Sequence, residues 1–420
     1  MKQIIIEGGN TLSGNIKIGG AKNNVVALIP ACLLSQGTIK INNVPNISDK
    51  DALIQIMNLL GTKVENGHNP SELIVNTTNL QNATIPDNLS RSLRASYYFM
   101  GALLGRFKHA EVYLPGGCNI GSRPINLHLK GFEALGATIT KDKDKYILDA
   151  EKLIGAPINL DFASVGATIN ILLASVLAEG ITTITNAARE PEIVNIAEFL
   201  NSMGAKITGA GSSTIVIEGV PKLHPHDITV IPDRIEAGTY VIIGALIGDN
   251  LCIEGVVPKH LEALLNKLTE MNVKYKLDQD KIYISKCDHI KPVNVKTLVY
   301  PGFPTDLGQP IQVLLTQAEG ISYFDETIFE NRMMHVKQLI KVGADIKVLD
   351  NTHAEIKGPV NLIGADITAT DLRGGAALVL AGLIAKGETR ISDADHILRG
   401  YERIIQKLSK VGAKINIIEI

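Results

Sequence analysis

One alternation of apolar and polar positions returns six times along this chain. Amphipathic runs such as ALIQIMNLLG and YERIIQKLSKVG close at a small residue and pass into a short stretch that alternates by twos. The junctions read LLGTKV at Gly61, LGATIT at Gly136, MGAKIT at Gly204, a degenerate MNVKYK at Asn272, VGADIKV at Gly343 and VGAKINI at Gly412. They lie 75, 68, 68, 71 and 69 residues apart, so six units of roughly 70 residues fill all 420. A helical period, a glycine and then a period of two predict a glycine-capped helix followed by a strand.

A second pattern runs in phase with the first. VVALIPACLLSQGTIKINNV, INILLASVLAEGITTITNAA and AALVLAGLIAKGETRISDA read as helices apolar on most faces, each ending near a glycine and turning into a strand. Such helices belong inside a domain rather than on its surface. The expected fold is therefore α/β, with two similar domains of three repeats each. In each, buried helices are surrounded by an outer layer of strands and helices.

The starts of these six buried helices carry the candidate chemistry. GGAKNN holds Lys22, SRSLRAS holds Arg94, ASVGAT holds Ser164, PDRIEAGT holds Arg234, PTDLGQ holds Asp306 and TDLRGG holds Arg373, at steps of 72, 70, 70, 72 and 67 residues. A helix N-terminus presents free N–H groups and the positive end of its dipole, which suits an anion. Ordinary capping accounts for some of these residues, Ser164 among them. It does not account for so many cations, which the dipole disfavours there. An anionic ligand held in a cleft between the domains is expected to supply the missing compensation.

Composition narrows the picture. Hydrophobic residues make up 45% and aromatics 4%, with no Trp, so the core is built from Ile, Leu, Val and Ala. A net charge of −2 gives no reason to expect a nucleic-acid partner, and any anion site must be local. The apolar run in MKQIIIEGGN is too short for a signal sequence, and ILLASVLA too short to span a bilayer, so no membrane partner is expected and the setting reads as cytoplasmic. Four cysteines without CxxC or Cys/His spacing speak against a zinc site or a disulfide framework. Three of them, Cys32, Cys252 and Cys287, read as structural, in a buried helix, a strand and a strand end. Cys118 differs: it lies in the loop LPGGCNIGSRP, five residues before Arg123, where a neighbouring cation favours the thiolate.

The ordered set GGAKNN, LRAS, LPGGCNIGSRP, SVGAT, NAAREPEI, PDRIEAGT, FPTD, ETIFENRMMHV, TDLR and HILRGYERI resembles the UDP-N-acetylglucosamine enolpyruvyl transferase family over essentially the whole chain. The resemblance implies two inside-out α/β domains, 22–231 and 1–21 with 232–420, and an active site in the cleft between them. It implies transfer of the enolpyruvyl group of phosphoenolpyruvate to the 3′-hydroxyl of UDP-N-acetylglucosamine, with release of phosphate, at the start of peptidoglycan synthesis. No cofactor and no metal are implied. By the same resemblance Lys22, Asn23, Arg123, Arg373 and Arg399 would hold phosphoenolpyruvate. Asp306 would be the base, and Cys118 the acid on a closing loop. UDP-N-acetylglucosamine would meet Asn23, Arg94, Arg123, Pro124, Ile125, Asn126, Leu127, Ser164, Val165, Gly166, Asp306 and Ile328. Phe162 and Asn126 depart from the lysine and aspartate of better-known members, which removes a cation near the diphosphate and an acceptor near the base.

Two rival readings stay open at this level. One is 5-enolpyruvylshikimate-3-phosphate synthase, which shares the fold and the phosphoenolpyruvate chemistry without a counterpart to the cysteine loop. The other is a silent nucleotide-binding paralogue, against which the joint presence of Lys22, Cys118, Asp306 and Arg399 argues.

Overall fold

The computed structural model describes residues 2–419 except Asn82, Leu93 and 114–123, with the backbone alone at Arg91, Ser92 and Arg94. The described residues divide into two compact units, one holding those between Gly20 and Ile231 and the other combining those up to Gly19 with those from Pro232 onward. Each unit has its own hydrophobic core.

The most apolar helices are the most buried. Lys22–Ala31, Tyr98–Phe107 and Val165–Ser175 lie in the core of the first unit, and Arg234–Ile247, Gly308–Leu315 and Leu372–Ile384 in that of the second. Among the described residues each unit carries three small sheets around these helices. Their strands alternate as half-buried strands should: Thr214–Glu218 turns Ile215 and Ile217 inward and its other residues to solvent. Four of the six helices begin directly at or beside the charged or hydroxyl positions read from the sequence. The other two open with a 3-10 turn, Arg94–Tyr97 before Tyr98 and Thr305–Leu307 before Gly308.

The repeat junctions have the backbone that their residues allow. Gly61, Gly136, Gly204, Gly343 and Gly412 sit at φ between 95° and 106°, and Asn272 takes the left-handed conformation at 66°. Asparagine is the residue best able to replace glycine there, which explains how the degenerate fourth copy keeps the same helix end.

Around three core helices the flanking strands pair in parallel, as in Pro157–Asn159 with Ile181–Thr185, Val295–Lys296 with Gly320–Asp325, and Asp366–Thr368 with Glu388–Ser392. At the first helix of each unit the chain trades strands instead. Ile228–Thr229, from the end of the third repeat, pairs with Thr38–Asn42, while Asn15–Lys17 pairs with Leu251–Glu254. Lys2–Glu7 lies between Glu388–Ser392 and Lys414–Glu419, antiparallel to both. Each unit is thus completed by a segment remote in sequence. Gly20 is required at the crossing, because a Cβ there would stand 1.8 Å from the Asn43 carbonyl oxygen. Among the described residues no helix is long and apolar enough to cross a membrane.

Candidate active site

Asp306 stands at the centre of a charged cluster. It lies in the Thr305–Leu307 turn ahead of the Gly308–Leu315 helix, and its carboxylate is held from both sides. Arg332 Nη2 donates to Oδ1 at 2.7 Å, and Arg373 Nη2 donates to Oδ2 at 3.1 Å. The arginines are 4% exposed and the aspartate 23%, so the carboxylate keeps an open side while its partners are enclosed. Burial by itself would raise the Asp306 pKa, but Arg373, then Arg332, and Arg234 behind them hold it well below the usual carboxylate range. Burial likewise works against the Arg373 charge, and Asp306 more than restores it.

The arginine side of this cluster is fixed by local caps. Asp371 caps the Leu372–Ile384 helix by accepting from the Arg373 and Gly374 amides at 3.0 Å each. Gly374 is needed beside it, since a Cβ would stand 2.6 Å from Asp371 Oδ2. The Arg373 guanidinium lies 5.3 Å from the Tyr401 ring centroid, and that phenol shares a hydrogen bond with Thr239 at 3.0 Å. Arg234 opens its own helix under an Asp233 cap and stacks over Tyr300 at 5.4 Å.

Lys22, the first residue of its helix, forms a 2.8 Å ion pair with buried Asp49. These pairings correct one expectation. Lys22, Arg234 and Arg373 do not wait for a ligand to balance them, because Asp49, Asp233, Asp306 and Asp371 already lie beside them in the folded chain. What remains for an anion is the open side of clusters that are already near neutral.

The other expected residues fall into distinct settings. Ser164 caps the Val165–Ser175 helix through a 3.3 Å bond from the Ala167 amide, with Val165 and Gly166 half-buried behind it. A Cβ on Gly166 would stand 2.9 Å from the His128 ring and 3.1 Å from the Tyr97 hydroxyl, so glycine lets these rings come close to the helix end. Asn170 accepts from the Gly101 amide at 2.8 Å, which turns its amide group toward His128 Nδ1 at 2.9 Å and leaves the ring proton on Nε2. His128 is therefore held in place by its surroundings.

Ile125 and Leu127 have their side chains in the core, so only their backbones face outward chemistry, whereas Pro124 and Asn126 are exposed. Asn23 and Ile328 are half-buried, as is Arg399, which follows the short Asp395–Leu398 helix. Phe162 is 57% exposed. Arg94 opens its 3-10 turn, and Cys118 and Arg123 lie outside the described residues. Burial pushes the Cys32 and Cys252 thiols up, as expected of structural cysteines. Cys32 belongs to the 3-10 turn after its helix, and Cys287 stands beyond the strand Lys281–Ile284, so neither lies in the element its sequence suggested.

Sequence reasoning missed Arg332 and Asp49. Arg332 stands inside ETIFENRMMHV, a motif that could have raised it. Asp49, at the start of the Ser48–Leu59 helix, reads as an ordinary first-turn acid.

Comparison with known proteins now places this arrangement. The EPSP synthase (3-phosphoshikimate 1-carboxyvinyltransferase) family matches residues 6–408, and the chain belongs to that family of enolpyruvyl transferases. Within it, a Listeria monocytogenes protein named UDP-N-acetylglucosamine 1-carboxyvinyltransferase 2 is 50% identical over 413 residues, covering 98% of this chain and 97% of the relative. A Lactiplantibacillus plantarum protein of the same name is 50% identical over 420 residues, at 99% and 98% coverage. Among solved structures, the enolpyruvyl transferase NikO from Streptomyces tendae superposes with a TM-score of 0.90 at 27% identity, covering 99% of both chains. EPSP synthase from Acinetobacter baumannii, at 19% identity and a TM-score of 0.75 over all of both chains, shares the fold.

Proposed function

We propose that this chain transfers the enolpyruvyl group of phosphoenolpyruvate to the 3′-hydroxyl of UDP-N-acetylglucosamine, releasing phosphate, as the first committed step of peptidoglycan synthesis in the cytoplasm. The observation that carries the reading is the Arg332–Asp306–Arg373 cluster in a chain half identical, end to end, to relatives named for that transfer. A carboxylate acceptor with two enclosed guanidiniums suits a reaction that must bind an anion and take up a hydroxyl proton at one place.

In this reading Lys22, Asn23, Arg123, Arg373 and Arg399 hold phosphoenolpyruvate. Cys118 protonates carbon 3, the sugar oxygen attacks carbon 2, and Asp306 takes the hydroxyl proton. Loss of phosphate and of a carbon-3 proton then restores the double bond. As built, Asp306 is a weak base, because both oxygens accept from guanidinium groups. An arriving substrate anion would draw on Arg373, loosen its hold and raise the basicity of Asp306 as the hydroxyl is engaged. The sugar nucleotide would use the Ser164 helix end for diphosphate, the Arg123–Leu127 segment for the base, and Arg94, Val165, Gly166 and Ile328 as further contacts.

Phosphate release measured with phosphoenolpyruvate and each acceptor tests the assignment. Release with UDP-N-acetylglucosamine and none with shikimate 3-phosphate is expected. The reverse preference would move the chain to the other branch of its family, and no release with either would leave a binding protein.

A further inference from the structure

Glu326 is a buried carboxylate to which the proposed chemistry gives no task. Its Oε1 accepts from the Ile328 amide at 2.8 Å, the Phe329 amide at 3.3 Å and the Thr297 hydroxyl at 2.9 Å. Its Oε2 accepts from the Thr305 hydroxyl at 2.7 Å. Thr305 in turn accepts from Arg332 Nη1 at 2.6 Å, and the other arm of that guanidinium holds Asp306.

The direction of this chain is forced. A carboxylate can only accept, so the single Thr305 proton must point at Glu326 and an oxygen lone pair is left for Arg332. A hydroxyl locked in that sense pins Nη1, and together with the Nη2 contact to Asp306 it fixes the position and rotation of the guanidinium. We propose that Glu326 is a positioning residue: through Thr305 it sets Arg332, and through Arg332 it sets the Asp306 carboxylate, while its second oxygen shapes the turn at Ile328. One buried acid thereby ties the candidate base to a backbone segment proposed to meet the sugar nucleotide.

The test follows from the same geometry. In Glu326→Gln three donors keep the amide oxygen, so the amide NH2 must face Thr305, whose oxygen then meets two donors. Thr305→Val removes the link and leaves the Ile328 turn intact, and Thr305→Ser keeps the hydroxyl. With the full chain and the phosphate-release assay, Glu326→Gln and Thr305→Val should each lower kcat ~10-fold or more, the scale of a lost hydrogen bond to a charged group. Thr305→Ser should recover most of the wild-type value. The double variant Glu326→Gln/Thr305→Val should be no slower than the worse single one, because both cut one chain. Losses that multiply, or a lowered Tm with kcat unchanged, would overturn the proposal and reduce Glu326 to a loop staple.

The kinetic arm rests on the proposed reaction, and a structural arm does not. In crystals of Thr305→Val the 2.7 Å contact between Arg332 and Asp306 should open beyond hydrogen-bonding distance. An unchanged contact overturns the proposal. If Glu326→Gln does not fold, the two Thr305 variants carry both arms. A wild-type chain that releases no phosphate counts against the reaction, and the crystals still decide the role of Glu326.

Discussion

The Val165–Ser175 and Leu372–Ile384 helices hold corresponding places in the two halves of the repeat, yet their first turns are built differently. Ser164 is a neutral cap that takes one amide at 3.3 Å. Asp371 is a charged cap that takes two at 3.0 Å each and stands beside the buried cation Arg373. A neutral cap leaves most of the positive helix end for an incoming anion, whereas an acidic cap cancels it. The first arrangement suits a diphosphate. The second allows an arginine to be buried where the dipole alone would reject it, and so makes a rigid clamp for Asp306. Equivalent positions in a repeat can thus take opposite electrostatic roles through the choice of cap.

The largest effect should come from the centre of the charged cluster. Asp306→Asn should leave both substrates bound and slow turnover by roughly 10²–10⁴, the range for losing a positioned base. Turnover near wild type in steady-state assays would remove Asp306 from proton transfer.

Next in size, Arg399→Ala should raise the KM for phosphoenolpyruvate by ~10–100-fold, as expected for a lost charge-assisted bond, and change that for the sugar nucleotide far less. Equal weakening of both substrates would place Arg399 in a different subsite.

The caps test the comparison itself. Ser164→Ala should cost ~0.5 kcal/mol, at the low end for a cap with one long bond, and Asp371→Ala about 2 kcal/mol, because it loses two bonds and unbalances Arg373. Equal shifts in thermal unfolding would mean the two helix ends do not differ as described.

The charged end should also respond to acid. His335 is fully buried, and a Cβ on Gly374 would stand 3.1 Å from its Cβ. Burial, with Arg332 adding to it and Asp371 opposing, lowers its pKa from 6.5 to about 4. The folded chain therefore resists a proton that the unfolded chain accepts, and stability falls as pH drops from about 6.5 towards 4. Melting curves of His335→Leu should be flatter across that window than those of the wild type. Parallel curves would show that the ring takes its proton without strain.

The smallest effects sharpen the repeat. Gly204→Ala meets no atom within 4 Å at φ 103°, so it should cost only the backbone strain, ~1 kcal/mol. Gly61→Ala should cost more, since the new methyl would stand 2.7 Å from the Asn79 carbonyl oxygen. Thermal unfolding that ranks them the other way would show that the repeat ends are not built alike.

The sequence by itself determined the period, the buried helices and the place of four of the six helix starts. These rest on short-range rules: apolar spacing within one helix, and a residue able to adopt positive φ at its end. Asp306 and Arg373 stood out for the same reason, as polar residues in phase with a repeat. Arg332, Asp49 and Glu326 did not, because each lies outside that phase and gains its meaning from a partner distant in the chain. Asp306 and Arg373 are 67 residues apart, and Arg332 reaches Asp306 over 26. The two-residue strand Ile228–Thr229 is likewise too short to signal itself and exists through pairing with Thr38–Asn42. Only the tertiary structure decided that Asp49 meets Lys22 and that Asp306 lies between Arg332 and Arg373, and hence that Asp306 rests as a clamped anion. Charge compensation is a matter of a few ångströms in space, and spacing along the chain does not encode it.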